Sequence, residues 1–181
     1  FDDVASSDWF ADAVKYVADK GMMNGTSKTT FGPNDSTTRG MIVTVLYRLE
    51  NEPSAAAASF TDVVSGQYYT DAVAWANANG IVTGYGNGKF GPNDVVTREQ
   101  LAAILYRYAQ YKKYDVSVGE DTNILSYADA QSVSAYAIPA MQWAGGAGIV
   151  NGFNGKLNPQ NNATRAEVAA MLMRYCEKVA K

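Results

Sequence analysis

The chain has 181 residues, enough for one domain with a sizeable core, and 47% of them are hydrophobic against 18% charged. A net charge of -3 gives no electrostatic reason to bind nucleic acid or an anionic membrane surface, so neither is expected as a partner. Histidine is absent and cysteine occurs once, which removes Ser-His-Asp and Cys-His catalysis, the commonest zinc ligand and any internal disulfide.

In chain order, the first helix is expected over about residues 9–20. Gly21 follows it, where a left-handed cap favours glycine. A glycine-bearing loop then leads through Phe31-Gly32-Pro33-Asn34-Asp35, which is turn chemistry, to a second helix starting at Thr38. A shift of 59 lays this unit on a second copy without a gap. Phe1, Asp3 and Val4 fall on Phe60, Asp62 and Val63, Thr38-Arg39 falls on Thr97-Arg98, and Leu46-Tyr47-Arg48 falls on Leu105-Tyr106-Arg107. A third, more diverged copy follows at a shift of 67 to 68. It has one residue inserted before Tyr136, a shortened glycine loop, and Leu157-Asn158 where the others have Phe-Gly. The copies with their linkers are expected at 1–59, 60–126 and 127–181. Residues 51–59 and the acidic stretch 112–126 read as surface connections.

The first helices of the later copies are expected over 69–79 and 137–147, closed by Gly80 and Gly148, with Pro139 in the first turn of the last. The second helices start at Thr97 and Thr164. Their apolar stripes are Ile42, Val45, Leu46 and Leu49, then Leu101, Ile104, Leu105 and Tyr108, then Val168, Met171, Leu172 and Tyr175. That spacing gives one buried face per helix. So short a unit cannot cover such a face alone, which predicts an all-α, pseudo-threefold arrangement with the second helices at its centre.

Thr164-Arg165-Ala166-Glu167 has the pattern of a capping box, Gln100 supports the same in the second copy, and Met41 offers no such partner in the first. An arginine beside a helix start opposes the helix dipole. Two readings of Arg39, Arg98 and Arg165 stand side by side. Each is either an anion-binding fork, whose loss leaves stability unchanged, or a tie to an acidic residue such as Asp3, Asp62 or Asp129 of a neighbouring copy. Trp9, Tyr68 and Tyr136 sit at the mouths of the first helices, where a ring either stacks on a sugar or packs into the core. Tyr16, Trp75 and Trp143, two turns on, read as core. Residues 84–89 lack the spacing of a phosphate loop, and Asn93-Asp94 lacks the acidic ladder of a calcium loop. Nothing fixes Asp71 or Asp121 in a catalytic pair. No catalytic residue, metal or cofactor is expected.

The ordered set Phe-x-Asp-Val, an aromatic, Gly-Ile-Val-x-Gly, Phe-x-Pro and Thr-Arg-x-(Glu/Gln), three times over, resembles the S-layer homology (SLH) repeat. The resemblance implies a three-pronged spindle around a central three-helix bundle. It implies grooves between repeats that bind secondary cell-wall polysaccharide, commonly through pyruvylated N-acetylmannosamine. Arg39, Arg98 and Arg165, following the caps Thr38, Thr97 and Thr164, would then meet the pyruvate carboxylate. Asp3, Asp62 and Asp129 would bond sugar hydroxyls, Trp9, Tyr68 and Tyr136 would supply the aromatic, and Gly25, Gly84 and Gly152 would let the sugar approach. The groove using the altered parts of repeat 3 is expected to be changed or empty. The chain opens inside a motif at Phe1 and is read as a mature or excised fragment, fused to a larger surface protein and held on the peptidoglycan-linked wall outside the cell. The alternative function is a structural protein-interaction module supporting S-layer assembly.

Overall fold

The computed structural model describes residues 1–180. Six α-helices carry the fold: α1 (Ala11–Asp19), α2 (Arg39–Leu49), α3 (Thr70–Ala78), α4 (Arg98–Tyr111), α5 (Ile138–Gly146) and α6 (Arg165–Lys178). Each repeat contributes two helices, as the periodicity predicts, the first shorter than the second. Gly21, Gly80 and Gly148 follow the short helices in left-handed conformation, with φ of 69°, 71° and 77°. Among the described residues, no helix is long and apolar enough to cross a membrane.

The helix pairs that pack broadly join different repeats: α2 lies on α3, α4 on α5, and α6 on α1. Each long helix therefore covers the short helix of the next copy, and the last returns to the first. The predicted stripes are the buried faces. All their members are buried except Leu49, which is partly so. Trp75 and Trp143 are in the core, each tilted against a tyrosine of the preceding repeat's long helix, Tyr47 and Tyr106. At the C-terminal ends, the Tyr108 hydroxyl donates to Glu50 (2.5 Å), and Lys112 pairs with the same carboxylate (3.0 Å), which ties α2 to α4.

A ring of backbone bonds closes the other end. Val96 N–H donates to Thr37 O (2.8 Å) and Ala163 N–H to Val96 O (3.0 Å). The first two N–H groups of each long helix donate to the turn of the next repeat. Arg39 and Gly40 reach Asp94 and Pro92, Arg98 and Glu99 reach Asn161 and Pro159, and Arg165 and Ala166 reach Asp35 and Pro33. The orphan donors of each helix start are thus satisfied by a neighbouring copy.

Three local features differ from the sequence reading. Met41 does contribute to its cap. Its sulfur accepts from Thr38 N–H at 3.4 Å, because an unbranched thioether reaches where Gln100 reaches in repeat 2. In repeat 3 only half of the box forms. Thr164 accepts from Glu167 N–H, but the Glu167 carboxylate turns to Arg98, a charged partner that outcompetes a backbone N–H. Residues 112–126 are more than a surface connection. A 3₁₀ turn over Ser117–Asp121 packs on α5, with the buried Gly119 lying close against Trp143, and Ile124 is buried further along the stretch.

Candidate functional site

Three clefts lie between repeats, and each draws its parts from all three. The first, about 370 Å³, joins Arg39 of repeat 1, Gly84 and the α4 residues Gln100 and Arg107 of repeat 2, and Tyr136 of repeat 3. The second, about 280 Å³, joins Arg165, Gly25, the α2 residues Met41 and Arg48, and Tyr68. The third, about 570 Å³, joins Arg98, Gly152, the α6 residues Glu167 and Arg174, and Trp9. The arginine, glycine and aromatic sets read from the sequence therefore meet, one of each per cleft, by cyclic permutation. The altered parts of repeat 3 are divided. The insertion precedes Tyr136 in the first cleft, whereas Asn158 and the shortened loop line the third.

The arginines are held deep. Arg39 and Arg165 are each only 6% exposed. Arg39 Nε donates to Phe90 O (3.0 Å) and Nη2 to Thr83 O (3.4 Å), both of the next repeat. Arg165 does the same with Phe31 O (2.9 Å) and Asn24 O. Each guanidinium lies over a ring, Arg39 at 4.6 Å from Phe90 and Arg165 at 4.7 Å from Phe31. Burial pulls the pKa of both below the usual arginine value. They tie neighbouring repeats together, which favours the tie over the free fork, and the partners are carbonyls in place of Asp3, Asp62 or Asp129. A guanidinium has five N–H donors, so two bonds to protein leave donors for a ligand in the cleft. Arg98 also donates Nε to Leu157 O (2.9 Å), but its Nη1 pairs with Glu167.

Asp3, Asp62 and Asp129 clamp their own repeats. Each carboxylate accepts two backbone N–H bonds of 2.8 Å, from Phe31 and Gly32, from Phe90 and Gly91, and from Leu157 and Asn158. These bonds hold Asp3 below the usual carboxylate value. At Asp62 and Asp129 desolvation pushes the other way, and the paired N–H bonds outweigh it. Gly25 and Gly84 line their clefts for a reason within the repeat as well. A Cβ at Gly84 would stand 2.5 Å from the Phe60 ring, and one at Gly25 would stand 2.7 Å from the Phe1 ring. Thr38, Thr97 and Thr164 are spent as helix caps.

Trp9, Tyr68 and Tyr136 are 64%, 57% and 52% exposed, and each lines one cleft. Burial of the Tyr136 hydroxyl, with Glu99 nearby, raises its pKa. Sequence reasoning missed a second arginine in each cleft: Arg107, Arg48 and Arg174, on the long helix. The signal was present, because Arg48 and Arg107 fall together in the repeated Leu-Tyr-Arg and Arg174 stands at the same register. No cluster of metal-ligating side chains occurs among the described residues.

The S-layer homology domain family model matches residues 1–40, 59–102 and 126–169. An endoglucanase of Bacillus sp. (strain KSM-635) is 35% identical, over 99% of this chain and 19% of its own length. An amylopullulanase of Thermoanaerobacterium thermosulfurigenes is 33% identical, over 98% of this chain and 10% of its own. The S-layer protein sap of Bacillus anthracis is 29% identical, over 95% of this chain and 20% of its own. The chain spans a fifth or less of each of these relatives, and the same stretch recurs in surface-layer proteins and in enzymes of different specificity. With all three copies matched across more than half of its length, this chain belongs to the S-layer homology domain family, anchoring modules of the bacterial cell wall and S-layer.

Proposed function

We propose that this module holds a larger surface protein on the wall by binding an acidic secondary cell-wall polysaccharide in the clefts between repeats, through a pyruvylated N-acetylmannosamine residue. The observation that carries the reading is the first cleft. Arg39 and Arg107 face one space with no carboxylate among the lining residues, beside the exposed ring of Tyr136. The second cleft repeats this with Arg165, Arg48 and Tyr68. In a chain of net charge -3, such placed cation pairs are where an anion would be held. A carboxylate fits the guanidinium donors, and a sugar ring fits the aromatic face. The chain takes the anchoring role, and catalysis is assigned to none of its residues.

Calorimetry with N-acetylmannosamine and with its pyruvylated form tests this. The pyruvylated sugar should bind about ten- to a hundredfold more tightly, the worth of one charge-assisted hydrogen bond. Equal affinity for the two sugars would refute the carboxylate mechanism. A second reading, a protein-interaction module for S-layer assembly, is favoured by one observation: Arg39 and Arg165 already serve as struts. Under that reading neither sugar binds.

A further inference from the structure

The third cleft is built differently, and the difference begins one turn inside the helix. The third helical residue of each long helix faces the arginine of the preceding repeat. It is Met41 in the second cleft, Gln100 in the first and Glu167 in the third. Only Glu167 carries charge, and it pairs with Arg98. The carbonyl equivalent to Thr83 O and Asn24 O, which receive the second guanidinium bond elsewhere, is Asn151 O. Here it accepts from the Tyr127 hydroxyl (3.4 Å), a group that Phe1 and Phe60 lack. Leu157 replaces the phenylalanine over which the other arginines lie. Arg98 thus stands among three substitutions, Glu167, Tyr127 and Leu157, and its charge is opposed by Glu167. Arg174 remains, with Nη1 bound to Ile149 O (3.2 Å). Two arginines against one carboxylate leave this cleft a single net positive charge, where the first cleft has two arginines and no carboxylate.

What the third cleft gains is suited to an uncharged ligand. It is the largest of the three. Phe153, in the register of Tyr85, is 72% exposed, whereas Tyr85 lies over Arg39 with its hydroxyl bonded to Asp94. Trp9 is 64% exposed. Two exposed rings therefore border the space. The side-chain amides of Asn161 and Asn162 line it without a bonded partner among the described residues, and each offers a donor and an acceptor to a hydroxyl.

We infer that the third cleft takes an uncharged sugar residue and that Glu167 sets this choice, while the clefts of Arg39 and Arg165 take the acidic one. The inference rests on the glycan reading above. An acidic sugar entering the third cleft meets Glu167 across Arg98 and must displace it. A neutral ring stacks on Trp9 or Phe153 with no such conflict. The module would then grip two chemically different residues of one wall glycan.

Tryptophan emission isolates this cleft. Trp75 and Trp143 are buried, and the other two mouths carry Tyr68 and Tyr136, so Trp9 is the one exposed indole. The full chain is titrated with N-acetylmannosamine and with its pyruvylated form, following emission and heat in parallel. The neutral sugar should shift the emission at a lower concentration than the acidic one, whose advantage from a free arginine is lost where Glu167 pairs with Arg98. Glu167→Gln, which reproduces the residue of repeat 2 and keeps a capping partner, should reverse the order. Emission that responds to the acidic sugar first in the wild type, or to neither sugar, overturns the inference. Absence of heat from the pyruvylated sugar instead refutes the glycan reading for the other two clefts, and it is scored without reference to Trp9.

Discussion

The cleft of Arg39 and the cleft of Arg98 are assembled from equivalent pieces in equivalent places, yet one arginine is a buried strut with spare donors and the other is half of an ion pair. Arg39 bonds two carbonyls of the next repeat and lies over Phe90, whereas Arg98 bonds one carbonyl and Glu167. Both hold neighbouring repeats together, so the scaffold constrains where an arginine stands. What else the arginine touches is set by its neighbours: glutamine against glutamate at the third helical position, phenylalanine against leucine below it. Pseudo-symmetry in the backbone therefore leaves each cleft free to differ in chemistry.

The sharpest way to break this comparison is to remove the arginines. Arg39→Ala should lower unfolding free energy by about 2–3 kcal/mol, because two carbonyls lose a charged donor and a packed guanidinium leaves a void. Arg98→Ala should cost about 1 kcal/mol, since the freed Glu167 can turn back to Thr164 N–H and complete the capping box. Urea unfolding of both variants checks this, and equal losses would contradict it. A reciprocal change sharpens the comparison. Gln100→Glu places beside Arg39 the carboxylate that repeat 3 already carries, and should weaken binding of pyruvylated N-acetylmannosamine to the first cleft about tenfold by calorimetry. An unchanged affinity would make glutamine and glutamate equivalent at this position and contradict the role given to Glu167.

The smaller effect concerns the aspartate clamps, which are alike in all three repeats. Their folded pKa values lie below the ordinary 3.8, so the clamps contribute stability above that value. That contribution is lost as pH falls through the depressed folded values. Stability should be flat above about pH 5 and fall on the acid side of 3.8. Asp62→Asn should lower it by about 1 kcal/mol at neutral pH and make the acid limb shallower. An acid limb of unchanged slope in that variant would remove Asp62 from the account.

Much of this was legible from local pattern. The repeat register, the helix starts at Thr38, Thr97 and Thr164, the glycine stops and the apolar stripes are short-range signals, and each lies where its spacing predicts. The core position of Trp75 and Trp143 followed from the same periodicity. The clefts were legible in their parts and not in their assembly. Nothing local tells that Arg39 meets Gly84 and Tyr136, because those residues belong to three different copies. The diversion of Glu167 to Arg98 spans 69 residues, so the local capping-box pattern at Thr164 carries no trace of it. The aspartate clamps had a usable signal, a constant separation of 28 and 29 residues from the backbone groups they hold in every copy.

Whether the clefts bind a wall carboxylate or only lock repeats together cannot be tested cleanly on the arginines of the Thr-Arg pairs, because these are struts. It can be tested on Arg48 and Arg107. They line the second and first clefts, and neither has a side-chain hydrogen bond or ion pair among the described residues. The direct measurement is the affinity of an Arg48→Ala, Arg107→Ala double variant for purified pyruvylated wall polysaccharide, taken with its melting temperature. The account predicts an unchanged melting temperature and at least about a tenfold loss of affinity, larger if the clefts act by avidity. Full binding by that variant would contradict it and leave the clefts as seams between repeats.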